Sequence, residues 1–151
     1  MWSVPSPQRE AASIKFAEQI AAFANRRGGV MLIGVANDTH EIVGVNKPEN
    51  RIKRIETVVR KYIDVKVDFV RTRAVSFDGA GVPRTCLIIV VGRTEHPVGV
   101  RQTKDSYTYP LRVGPGLERV SREQIQATKV GVKGVSFSFA SELAEWIGNV
   151  V

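Results

Sequence analysis

The sequence predicts an α+β domain, a mixed sheet of about five or six strands with two main helices and a short C-terminal helix. Three observations carry this. An apolar stripe at helical spacing stops at the double glycine Gly28-Gly29, and a run of apolar residues follows at once. A second stripe, Ile52, Ile55, Val59 and Tyr62, marks another amphipathic helix. The run Thr85-Cys86-Leu87-Ile88-Ile89-Val90-Val91 is too short for a helix of ordinary length and rich in β-branched residues, which suits a central strand.

Taken in order, residues 1–12 carry prolines and serines and read as an irregular lead-in, with Trp2 in need of a packing partner. From residue 13 onward Ile14, Ala17, Ala21 and Ala24, with Phe16, Ile20 and Phe23 beside them, predict a helix. Arg26 and Arg27 would put positive charge near its last carbonyls, and Gly28 can adopt the left-handed backbone that closes it. Val30-Met31-Leu32-Ile33-Gly34-Val35 does not alternate, so it reads as a strand covered on both faces, with residues 42–45 returning as the second arm of a hairpin. Asn46 as cap, Pro48 in the first turn and Glu49 open the next helix, which runs to about Tyr62.

Residues 65–77 read as a long strand whose pattern breaks at Arg71 and Arg73, the mark of a bulge or overhang. After the turn at residues 78–81 comes the central strand. Residues 98–101 and 107–113 read as shorter strands, with Pro110 pointing to an edge or a bulge. Ser121 with Gln124 three residues later is a capping box for a short helix. Residues 129–151 form a tail in which Val135, Phe137 and Phe139 alternate with serines and a segment around Trp146 has helical character. It would complete the sheet, dock on another chain or begin a further domain.

Length and composition narrow the function. At 151 residues the chain holds one domain of about 13–128 plus its ends. No apolar run is long enough to span a bilayer, and the first residues lack a secretory pattern, so the expected site is cytoplasmic, without a membrane partner. Cys86 is single and sits in an apolar run, the place of a buried side chain. His40 and His96 have no companions at metal-ligand spacing, no Gly-x-Ser-x-Gly elbow occurs, and Glu10, Asp38, Glu41 and Asp78 are scattered in turns, so no metal, cofactor or catalytic residue is expected. Gly28-Gly29 follows a helix instead of preceding one, the reverse of a phosphate loop.

The charge balance points elsewhere. Lysine and arginine total 22 against 15 acidic residues, a formal charge of +7. On the second helix Lys53, Arg54, Arg60 and Lys61 share the side opposite the apolar stripe, at about 100° per residue. Natural solvated faces usually mix signs, so a face carrying four cations is a candidate phosphate-contacting surface. Arg26, Arg27, Arg71, Arg73, Arg112 and Arg119 are further candidates. Tyr107 and Tyr109 are the only plausible stacking pair.

Several ordered motifs then combine: Ala22-Phe23-Ala24-Asn25, Gly28-Gly29, Ile33-Gly34-Val35, Val43-Gly44, Arg112-Val113-Gly114 and Ser121-Arg122-Glu123-Gln124-Ile125. Over residues 13–127 the chain resembles the Schlafen AlbA-like domain, a family credited with DNA binding. In the Schlafens that cleave transfer RNA, carboxylates ahead of the first helix and after the Gly-Val motif form the catalytic set. Here Met1 and Ser3 flank Trp2, and Ala36 and Asn37 replace the acidic pair, leaving Asp38. The resemblance therefore implies binding of DNA or RNA through phosphate contacts, as a module of a larger transcriptional regulator or defence-type protein, or as a homodimer. Asn25 is expected to hold the turn through its amide. The competing readings are a metal-dependent RNA endonuclease with degenerate carboxylates, and a protein-interaction or oligomerisation module built on Phe137, Phe139 and Trp146.

Overall fold

The computed structural model describes residues 7–79 and 81–137. It is an α+β fold of three helices and six strands among the described residues. The strands divide into two three-stranded antiparallel sheets where the sequence suggested one mixed sheet.

Helix α1 spans Pro7–Asn25, beginning six residues before the apolar stripe does. Pro7, read in the sequence as part of an irregular lead-in, is the first described residue and is already helical. Ala17, Ala21 and Ala24 are fully buried with Ile20, small side chains that let α1 approach its neighbours closely. The helix closes as expected at Gly28, whose φ is +76° and whose N–H donates to Phe23 O at 2.7 Å. A Cβ there would stand 2.5 Å from Val91 O, so only glycine fits. Arg26 and Arg27 fall beyond the last turn. The cation on the final carbonyls is Lys129, whose Nζ donates to Ala24 O at 2.8 Å.

Strands β1 (Gly29–Ile33), β2 (Val70–Gly79) and β3 (Val82–Val91) form the first sheet in the order β1-β3-β2. β3 is central, and its residues 86–91 are buried on both faces. β1 lies at the edge, with Leu32 45% exposed, so the two-sided cover expected for it is absent. The expected hairpin shrinks to a single bridge, Val35 with Ile42. Gly34 (φ +103°) and Gly44 (φ +75°) bend the chain, both the Val43 and Gly44 N–H groups donate to Gly34 O, and the Val45 N–H turns to Thr85 O on β3. β2 begins at Val70, five residues later than the sequence pattern does. Ile63 bridges Val100 instead, and Asp64 exchanges backbone and side-chain hydrogen bonds with Gly99.

Helix α2 spans Pro48–Tyr62, as expected in extent. Its cap is Lys47 in a left-handed conformation (φ 51°), without a side-chain hydrogen bond, and Asn46 stands outside. Ile55, Val59 and Tyr62 are buried and Ile52 is half-buried, which confirms the stripe.

The second sheet, β4 (Val100–Thr103), β5 (Ser106–Val113) and β6 (Gly116–Val120), runs β4-β5-β6. Pro110 therefore sits in the middle strand, not at an edge. The β4 ladder spans only Val100–Thr103, paired with Thr108 and below, so Pro110 lies past its end, and the carbonyl of Pro110 is satisfied by Asn25. β6 escaped the sequence reading; the two-residue turn Gly114-Pro115, with Gly114 at φ 56°, folds it back on β5. Helix α3 (Arg122–Thr128) carries the expected capping box, Ser121 Oγ accepting from the Gln124 N–H and Gln124 Oε1 from the Ser121 N–H.

One core joins α1, α2, the inner face of the first sheet and Val98 and Val100. On the outer face of that sheet Val75, Ile88 and Val90 form a second cluster, against which Phe137 packs. Arg93 and Ser136 exchange backbone hydrogen bonds, so the start of the tail is docked on the domain. Trp2, Phe139, Trp146 and the helical segment expected near Trp146 lie outside the described residues. No described helix is long and apolar enough to cross a membrane.

Candidate nucleic-acid interface

The ten cations singled out in the sequence fall in four places. On α2, Lys53, Arg60 and Lys61 are exposed, as is Thr57 between them, whose hydroxyl donates to Lys53 O at 2.9 Å. Arg54 differs. It is half-buried and turns into a groove of about 950 Å³ between α2 and the first turns of α1. Arg9, Lys47, Arg51 and Lys61 line the same groove, and Glu10 is the one carboxylate among its described lining residues. Partial removal from water lowers the Arg54 pKa, and the positive charges of Arg51 and Arg9 lower it further. The groove therefore gathers like charges that repel one another and favour an anion.

A second concavity, about 500 Å³, sits at the end of α1, lined by Phe23, Arg26, Arg27, Gly28, Arg112 and Gly114. The Arg112 guanidinium lies 4.9 Å over the Phe23 ring and donates to Gln19 Oε1 at 3.2 Å, while Arg26 donates to the Arg112 carbonyl at 2.9 Å. The two acceptors, an amide oxygen and a backbone carbonyl, are neutral, so these bonds orient the two guanidiniums without cancelling their charge.

Arg71 and Arg73 share the outer face of the first sheet with Val75, since alternate residues of β2 point the same way. Arg71 stacks on Phe137, 4.0 Å from its centroid. Arg119 is held elsewhere. Its Nε and Nη2 both donate to the buried Glu18 carboxylate at 2.9 Å, and Thr108 donates to the same group, so its charge is matched inside the protein.

The remaining candidates read as framework. Asn25 is fully buried: its Nδ2 donates to Val98 O and Pro110 O at 2.8 Å, and its Oδ1 accepts from the Val98 N–H at 2.7 Å. It ties the end of α1 to the second sheet and does not itself make the turn. Tyr107 is exposed, whereas Tyr109 packs on Gly99 and its hydroxyl pKa is raised, first by burial and then by the Asp64 carboxylate. Glu10, Asp38, Glu41 and Asp78 are exposed, and no group of three His, Cys, Asp or Glu among the described residues comes together to hold a metal ion. Cys86 is buried, which raises its thiol pKa.

The sequence reading missed Arg9, Lys47 and Arg51. Lys47, Arg51, Arg54 and Lys61 recur at steps of four, three and seven, one row along a helix, and that spacing was available. Arg9 joins them only because α1 packs across α2.

A family model described as Schlafen, AlbA_2 matches residues 4–121. Over 44 residues the chain is 39% identical to the Poxin-Schlafen of Monkeypox virus and 41% identical to that of Cowpox virus (strain Brighton Red). Each match covers 29% of this chain and 9% of the relative, so the chain spans only a small part of these proteins' length. Among solved structures, the DIP2311 protein from Corynebacterium diphtheriae shares the fold, with a TM-score of 0.55 and 23% identity over 87% of this chain and 25% of that one.

Proposed function

The chain belongs to the Schlafen AlbA_2 family, and we propose that it binds nucleic acid, DNA in the first instance, chiefly through the phosphate backbone. The observation that carries this reading is the cation-rich face of α2, where Lys53, Arg60 and Lys61 stand exposed beside the cationic groove and Glu56 at its boundary offsets only part of their charge. Convex cations meet backbone phosphates without reading bases, and counterion release then dominates affinity. Arg26, Arg27 and Arg112 form a second contact area, and Arg71 and Arg73 a third; Arg119, paired with Glu18, contributes least. The sequence resemblance supports a place as a module of a larger regulator or defence-type protein, or as a homodimer.

The test is fluorescence anisotropy of labelled duplex DNA and of transfer RNA at low and roughly physiological salt, with the protein and a variant carrying Lys53→Ala, Arg54→Ala, Arg60→Ala and Lys61→Ala. Binding that falls steeply with salt and is lost in the variant supports the reading, and the tighter ligand identifies the class of nucleic acid. No binding at low salt overturns it.

A further inference from the structure

The cations of α2 present two shapes. Lys53 and Arg60 stand out from the helix, where the convex surface of a duplex can meet them. Arg54 is half-buried in the groove, whose rim carries the exposed Arg9 and Arg51. A duplex carries its phosphates on a rounded outer surface that cannot enter such a recess, whereas a strand end can.

Charge separates the candidates further. An internal phosphodiester carries one negative charge and two unesterified oxygens. A phosphomonoester carries about −1.5 to −2 near pH 7 and offers three acceptor oxygens. Three guanidiniums face this recess against one described carboxylate, Glu10, and a dianion matches that surplus of positive charge better than a monoanionic diester does. Neutral donors are also at hand, since Ser13, Asn50 and Thr57 line the groove. Its volume of about 950 Å³ lies within the range of sites that enclose a nucleotide-sized ligand.

From this we propose that the groove between α1 and α2 is a phosphomonoester site, gripped by Arg9, Arg51 and Arg54, that takes the phosphorylated end of a nucleic-acid strand or a free nucleotide carrying the same group. The outer cations and the groove then have separate roles. Lys53 and Arg60 hold the backbone of whatever is bound, and the groove selects its terminus. The inference rests on the nucleic-acid reading of the same helix but makes a demand that reading does not.

The experiment compares a short single-stranded oligonucleotide bearing a 5′-phosphate, one bearing a 3′-phosphate and their hydroxyl-ended twin, by anisotropy at one fixed salt concentration. Adenosine monophosphate serves as competitor. The expected result is that one phosphorylated end binds about tenfold tighter than the hydroxyl twin. Arg51→Ala and Arg54→Ala erase that preference, while Arg60→Ala weakens every oligonucleotide alike and keeps the ratio. Competition by the mononucleotide at concentrations similar to those of the oligonucleotide assigns the site to free nucleotides; failure to compete assigns it to strand ends. Equal binding of all three oligonucleotides to the unaltered protein overturns the phosphomonoester site and leaves the nucleic-acid function standing. A preference that survives both Arg51→Ala and Arg54→Ala overturns the assignment to this groove. If no oligonucleotide binds at low salt, and the mononucleotide does not bind by calorimetry, both readings fail together.

Discussion

At the scale of single residues, the side chains that matter most are those that end α1. Asn25 is buried between β5 and the segment just ahead of β4 and makes three hydrogen bonds to backbone groups of Val98 and Pro110. Asn25→Ala leaves those groups unpaired in the interior, at about 1–3 kcal/mol each. Urea unfolding should show a loss of at least about 3 kcal/mol with an unchanged slope, and Asn25→Asp should not rescue it, because a carboxylate faces two carbonyl oxygens. Lys129 offers a test in pH. Its buried ammonium donates to Ala24 O, but burial first, and then the charge of Arg93, lower its pKa from 10.5 to about 8. In the window between those values the unfolded chain holds a proton that the folded chain has released, so stability rises with pH across it. The gain is on the order of 2–3 kcal/mol, and Lys129→Met should abolish that part of the rise when thermal stability is followed from pH 7 to 10.

At the scale of elements, local signals were reliable wherever the chain's own neighbours satisfy it. The box at Ser121 and Gln124 is an example, since both bonds close within four residues. Ser121→Ala should cost about 1 kcal/mol and raise hydrogen exchange in α3 before other elements respond. Strand boundaries were less legible. The segment before β2 has the alternation of a strand, but the Asp68 N–H donates to Lys66 O within the segment, the Phe69 carbonyl accepts from Gly92, and just ahead of it Ile63 and Asp64 pair with Val100 and Gly99. β6 was hidden for the opposite reason: Gly116-Leu117-Glu118-Arg119-Val120 has little apolar content, and it is held as a strand by its two-residue turn and by the bond from Arg119 to Glu18 on α1.

At the scale of the whole molecule, function depends on where charge collects. If Lys53, Arg60 and Lys61 each touch a phosphate, the slope of log affinity against log salt should fall by about one for each of them changed to alanine, while Arg119→Ala leaves the slope nearly unaltered. A salt titration of the four single variants decides this, and a large effect of Arg119→Ala on the slope would count against the assignment. By itself the sequence determined the α+β class, the stop at Gly28, the extent and amphipathic faces of α2, the central place of β3 and the family, because helical spacing, β-branched runs and glycine conformations are local properties. Only the tertiary structure decided that the strands form two sheets, that Asn25 serves the second of them, that Arg119 is spent on Glu18 and that Arg9 joins Arg51 and Arg54. Each of these joins residues that helix spacing or strand pairing of near neighbours cannot relate, and their meeting is set by how α1 packs between α2 and the two sheets.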